Sequence, residues 1–219
     1  TIEAYGHVNM IAEIGINHNG DINIAKKLID VAKKASCDAV KFQKRKVDQV
    51  YTAAFLDSPR ESPWGTTQRD QKEGLELCEK AYDEIDHYAK SLGIEWFASA
   101  WDCESQKFLR KYNLGVNKVA SAMATNQEFL ELVAGERKLT YLSTGMCDLS
   151  QIDNAVEVFR SYNCPFILMH SVAEYPAPEK VLNLRCILTL KDRYDCRVGY
   201  SGHESSVSPS VAAAALGAC

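Results

Sequence analysis

The strongest constraint on the fold is a rhythm: short apolar runs alternate with longer stretches of helical spacing along most of the chain. Residues 8–14 read as a strand. Asp21 then stands as a helix cap ahead of Ile24, Leu28, Ile29, Val31 and Ala32 at helical intervals. Residues 38–43 read as a second strand, and 44–70 as a long polar connection. A helix is expected over 72–92, stopped by Gly93. Five further strands follow at 94–99, 116–120, 139–143, 165–170 and 197–200, each with its own helix. Seven strand–helix units without a hairpin signal predict an α/β fold with an all-parallel sheet and helices outside it.

Two architectures satisfy that pattern. No Gly-x-Gly-x-x-Gly turn follows the first strand, which disfavours an open dinucleotide-binding sheet. Seven units with an abrupt end instead predict a (β/α)8 TIM-type barrel truncated before its eighth strand, with residues 1–219 as one incomplete domain. The opening on Thr1 and the stop at Cys219, straight after an alanine-rich helix, are read as the ends of a piece. Such a remnant would carry two open sheet edges.

Composition narrows the function. The net charge of −4 gives no reason to expect nucleic acid or an anionic membrane as partner. No apolar run reaches the length of a membrane span, no signal-peptide pattern opens the chain, and a cytoplasmic location is expected. The eight cysteines form no Cys-x-x-Cys or zinc-like cluster, so most are expected to be small buried residues in a reducing compartment.

In a parallel barrel, chemistry gathers where strands end. Polar residues fall at those places in this chain: Glu13 with Asn17-His18-Asn19, Lys41 with Gln43, Ser99, Lys118 with Ser121, Ser143-Thr144, His170-Ser171, and Ser201-Gly202-His203. Each also has a plainer reading. Glu13 would serve as a buried acid paired with Lys41 or Lys118. The two lysines sit in apolar strands, where an ammonium binds an anion, forms a Schiff base or satisfies an internal acid. His18, His170 and His203 are equally compatible with simple hydrogen bonding. Ser143-Thr144-Gly145 and Ser201-Gly202 are turns of the kind that wrap phosphate oxygens. The set suits a small, multiply anionic substrate beside a carbonyl.

Six segments resemble the sialic acid synthase family: IAEIGINHNG (11–20), VKFQ (40–43), NKVASA (117–122), LSTGM (142–146), the Tyr175-Pro-Ala-Pro178 turn and GYSGH (199–203). The resemblance runs from about residue 8 to the end, in the family's order and spacing. It implies a phosphoenolpyruvate-condensing barrel, followed in known members by an antifreeze-like domain, in a homodimer. The partners implied are phosphoenolpyruvate and an amino-sugar aldehyde, N-acetylmannosamine or a 2,4-diacetamido-6-deoxy sugar. By the same resemblance Glu13 handles protons at the reacting carbons. Lys41, Lys118, Ser121, Ser143 and Ser201 hold the phosphate and carboxylate, Gln43 and Tyr175 lie near the sugar, and His203 is one of two histidines on a divalent metal, Mn2+ or Mg2+. Ser99 is a weaker substrate-binding candidate.

The implied chemistry joins carbon 3 of the enol to the sugar aldehyde, whose carbonyl the metal polarises. Carbon 2 then takes a water, and the tetrahedral intermediate expels phosphate. The long 44–70 connection reads as a lid with Trp64-Gly65-Thr66-Thr67 at its tip. Some members carry a glutamate where Met123 stands, an asparagine at Ala173, and Ser-Thr-Pro where this chain has Ser-Ala-Trp-Asp. These departures leave the sugar's identity open. The second metal histidine is expected beyond Cys219, so the 219 residues alone are expected to turn over poorly. Rival readings are a Schiff-base keto-acid aldolase, a non-catalytic phosphosugar-binding barrel, and a synthase of another keto-sugar acid.

Overall fold

A computed structural model describes residues 7–219. The chain forms two compact units, Met10–Gly115 and Val116–Cys219. In the first, β1 (Ile11–Gly15), β2 (Ala39–Lys44) and β5 (Glu95–Ala100) pair in parallel. Their connections carry α1 (Ile22–Lys34), α2 (Val47–Val50), α3 (Ala53–Leu56), the strands β3 (Pro59–Ser62) and β4 (Gly65–Thr67), α4 (Gln68–Leu75) and α5 (Glu79–Leu92); α6 (Cys103–Leu109) follows β5. In the second unit β6 (Asn117–Val119), β7 (Thr140–Ser143), β8 (Phe166–Ser171) and β9 (Val198–Ser201) pair in parallel in that order. They alternate with α7 (Gln127–Ala134), α8 (Leu149–Ser161), α9 (Cys186–Tyr194) and α10 (Ser208–Ala215).

The helices begin where the sequence supplies caps. The Asp21 carboxylate accepts the Asn23 amide at 2.7 Å, and Ala25, Ile29 and Ala32 form the buried face of α1. Val31 lies off that face and is exposed, against its expected place among the apolar positions. Gly93 ends α5 at φ +61 and ψ +43, the left-handed conformation that suits glycine at a helix C-terminus. The first unit's core is aromatic. Phe42 and Tyr82 are fully buried, and Trp96 meets Phe42 edge-on at 6.2 Å.

Three expectations are corrected. The 44–70 connection is ordered: two short helices, then an antiparallel hairpin, β3 against β4, where no hairpin was expected. The helix expected over 72–92 is two helices. Glu76 turns extended between them, and its carboxylate accepts the Arg45 amide at 3.1 Å and the Lys44 ammonium at 3.3 Å. A continuous helix would forfeit those charge-assisted bonds. Finally, all eight cysteines are free thiols, but only Cys164 is buried and Cys78 is exposed. Among the described residues no helix is long and apolar enough to cross a membrane.

Candidate functional site

Parallel register brings the first unit's polar residues together. Glu13 on β1 lies opposite Lys41 on β2, and Gln43 lies opposite Ser99 on β5. Strand alternation keeps Lys41 and Gln43 on one face. The Lys41 ammonium is ion-paired with the Glu13 carboxylate and donates to the Ser99 hydroxyl at 3.2 Å. Lys41 and Ser99 are buried, but the Glu13 side chain is 49% exposed, so it is not the buried structural acid of the plainer reading. The carboxylate is half exposed while the lysine it pairs with is buried.

Gly15 makes room for this arrangement. It sits in a register shift of β1 with φ +55. A Cβ there would stand 2.8 Å from the Glu13 Oε1 and 3.3 Å from the Gln43 Nε2. The Asn-His-Asn-Gly that follows is a turn built around a buried histidine. His18 is 1% exposed; its Nδ1 accepts the Gly20 amide at 3.0 Å, and the ring bonds the Gly15 backbone. Burial drives its pKa down from 6.5 to about 4. His18 is therefore a neutral strut. Gly20, at φ +72, passes so near α4 that a Cβ would come within 2.1 Å of the Gly74 carbonyl oxygen.

The second unit has its own cluster. Lys118 on β6 is buried, donates to the Ser143 hydroxyl, and reaches the Val119 carbonyl at 3.0 Å. Register and alternation put Lys118, Ser143, Ser171 and Ser201 on one face. Gly145 admits Ser121, whose hydroxyl would lie 2.8 Å from a Cβ at that glycine. Thr144 donates its hydroxyl to the Met169 carbonyl at 3.2 Å, fixing the turn. A lysine with hydroxyls on one face is equipped to hold a phosphate or carboxylate.

His203 and Tyr175 form a pair. Their rings stack with centres 3.9 Å apart, and the Tyr175 hydroxyl lies 2.6 Å from the His203 Nε2. The His203 Nδ1 donates to the Val172 carbonyl at 2.5 Å, so Nε2 carries the lone pair that accepts from tyrosine. His170, buried, donates to the Leu182 carbonyl at 2.7 Å and is structural. A single imidazole does not make a metal site. Among the described residues no group of three or more His, Cys, Asp or Glu side chains is placed to hold a metal ion. The donors among the described residues do not by themselves complete a site for a divalent metal.

Reading the sequence missed the residues around Gln43. Arg45 donates to the Gln43 side-chain oxygen and lies over the Trp101 ring at 4.5 Å. The Ser-Ala-Trp-Asp loop thus has a definite role. Trp101 floors Arg45, and Asp102 accepts the Lys46 amide at 2.7 Å while capping α6 through Ser105. The basic run Lys44-Arg45-Lys46 directly after Gln43 was the available signal.

Known proteins sharpen the picture. Residues 28–219 match the model of the NeuB family. The chain is 37% identical over 218 residues to the N,N'-diacetyllegionaminic acid synthase of Campylobacter jejuni, covering 96% of this chain and 65% of that protein. It is 38% identical over 215 residues to the N-acetylneuraminate-9-phosphate synthase of Drosophila melanogaster, covering 96% and 58%. The chain thus spans less than two thirds of either relative. The crystal structure of an N-acetylneuraminic acid synthetase from Leptospira borgpetersenii superposes with a TM-score of 0.88 at 30% identity, over 98% of this chain and 71% of that one.

Proposed function

The chain belongs to the NeuB family, and from that premise we propose that it supplies the catalytic part of a synthase. The reaction joins phosphoenolpyruvate to an N-acylamino sugar aldehyde and releases phosphate. The observation that carries the reading is the Glu13–Lys41–Ser99 cluster: a half-exposed carboxylate held against a buried ammonium on neighbouring parallel strands. The relatives' names support the product class, and the similarity to the Leptospira structure supports a (β/α)8 barrel for the parent protein.

In this reading Lys41 and Lys118, with Ser99, Ser121, Ser143 and Ser201, bind the phosphate and carboxylate of phosphoenolpyruvate. They stabilise negative charge on both groups as the reaction proceeds. Gln43 and Tyr175 orient the sugar. Carbon 3 of the enol forms a bond to the aldehyde carbon, and the aldehyde oxygen becomes a hydroxyl by taking the proton that Glu13 removes from water. Glu13 takes a proton from the water that adds to carbon 2. The carbon–oxygen bond to phosphate then breaks, and the remaining hydroxyl proton passes to the departing phosphate, leaving a 2-keto acid. Each reactant atom is thereby accounted for in a keto acid and inorganic phosphate.

N-acetylmannosamine and a 2,4-diacetamido-6-deoxy sugar are the proposed acceptors. A Mn2+ or Mg2+ requirement is proposed from the resemblance alone, and no step is routed through it. A cytoplasmic homodimer is the proposed working form. The test is sugar-dependent phosphate release by the full-length protein, with and without chelator. Release without sugar, or none with any acceptor, contradicts the synthase reading.

A further inference from the structure

Gln43 is held through both its main chain and its side chain. The Tyr82 hydroxyl donates to its main-chain carbonyl at 2.7 Å, and an Arg45 guanidinium nitrogen donates to its side-chain oxygen. A guanidinium carries donors only. The Gln43 oxygen must therefore face Arg45, because the reverse orientation would set N–H against N–H. The Nε2 is left at the other branch of the amide. A Cβ at Gly15 would stand 3.3 Å from that Nε2 and 2.8 Å from the Glu13 Oε1, so both atoms border the same glycine. Among the described residues no acceptor takes the Nε2 hydrogens.

Arg45 itself has little freedom. Its guanidinium lies over the Trp101 ring at 4.5 Å, and its Nη1 lies 3.3 Å from the Glu76 Oε1. The other Glu76 oxygen accepts the Arg45 main-chain amide at 3.1 Å. One carboxylate thus grips the residue at main chain and side chain. The Arg45 and Glu76 side chains are only 11% and 12% exposed, so salt and water screen the pair little. A planar fork fixed at two of its points presents its remaining nitrogen to Gln43 in one direction.

We propose that Arg45 is a positioning residue: by occupying the Gln43 oxygen it turns the Gln43 amide into a hydrogen-bond donor, and the sugar group met there is an acceptor oxygen. This rests on the synthase reading, in which Gln43 meets the sugar, and deepens it by fixing the polarity of that contact. A sugar group that can only donate, such as an ammonium, is disfavoured at this point, because it would leave buried donors facing one another.

The experiment is steady-state phosphate release by the full-length protein, with whichever of N-acetylmannosamine and a 2,4-diacetamido-6-deoxy hexose supports release as the varied sugar. Gln43→Glu keeps acceptor oxygens for Arg45 and loses the donor; Gln43→Met loses both. Each should raise the KM for sugar by about tenfold, with the KM for phosphoenolpyruvate within about twofold. Arg45→Met should raise the sugar KM by about fivefold alone, yet add less than about twofold in the Gln43→Met background, since a residue acting through Gln43 has nothing left to position. Arg45→Lys keeps the charge beside Glu76 and loses the planar fork, so it should behave as Arg45→Met does; it carries the test where Arg45→Met fails to fold. A sugar KM in Gln43→Glu within about twofold of wild type overturns the donor assignment. Additive effects of the Arg45 and Gln43 substitutions, or an Arg45 effect shared equally by phosphoenolpyruvate, overturn the positioning role. Turnover separates the two claims: no sugar-dependent release from folded wild type removes the synthase reading together with this one, whereas intact release with unmoved sugar KM in the variants removes only the role of Arg45.

Discussion

Glu13 and Lys41 face each other across the parallel register of β1 and β2 and form an ion pair in which the lysine is buried and the acid half exposed. This asymmetry separates a working carboxylate from a structural one. Burying both ends of a pair costs desolvation that attraction does not always repay, whereas a proton-handling group needs one face toward its substrate. Glu13→Gln keeps the shape and a hydrogen-bond acceptor but removes the base. Turnover should fall by about 10²–10⁴-fold, with the melting temperature lowered by several degrees because the buried Lys41 ammonium loses its counter-charge. Phosphate-release kinetics beside thermal unfolding check this; near-normal turnover would remove Glu13 from the mechanism.

Lys118 and Ser143 make a second prediction. Both are buried, and the ammonium donates to the hydroxyl. Ser143→Ala should raise the KM for phosphoenolpyruvate by about tenfold with a smaller effect on kcat. Lys118→Met should lower kcat/KM by about 10²–10³-fold. Steady-state kinetics with phosphoenolpyruvate as the varied substrate distinguish the two effects. A change seen only in the KM of the sugar would move both residues to the other substrate.

Gly20 is predicted to be indispensable for stability. Alanine there meets a left-handed φ of +72 and a backbone oxygen 2.1 Å from its Cβ. The cost should exceed about 2 kcal/mol, because conformational strain and collision add. For a chain of this size that is a melting-temperature loss of about 5 °C or more. An unchanged melting point would mean that α4 does not pack on this turn.

His18 gives the chain a pH dependence whose sign is fixed. Its pKa is lowered from 6.5 to about 4 on folding, so below pH 6.5 the unfolded chain binds the proton more readily. The stability it supports is present at neutral pH and is lost as the pH falls from about 6.5 to about 4. Between pH 7 and 5 the loss is about 2 kcal/mol. Urea unfolding at several pH values should show this slope, and His18→Gln should flatten it. An identical slope in the variant would place the titration elsewhere.

Much of the fold was legible because the period of apolar residues reports directly on burial. The strands expected at 38–43, 94–99 and 139–143 lie within a residue of their observed bounds. The 72–92 stretch was misread because helical spacing continues through Glu76, and only the pull of Lys44 and of the Arg45 amide shows why it breaks there. The strand-end residues were visible as polar groups in apolar runs. Their standing was not: a sequence does not say that Glu13 is open while His18 is sealed. Arg45 was missed because a charge in a polar loop looks solvated until its aromatic floor is seen.

The central claim is that Glu13, Lys41 and their neighbours serve a phosphoenolpyruvate-condensing reaction. The most direct test is inorganic phosphate released from phosphoenolpyruvate by the full-length protein with manganese present, measured with N-acetylmannosamine, its 6-phosphate, a 2,4-diacetamido-6-deoxy hexose, and no sugar. The account predicts release that depends on an amino sugar and is abolished by Glu13→Gln. Release from none of them by a folded protein, or a borohydride-trapped pyruvate adduct on Lys41 or Lys118, would contradict it.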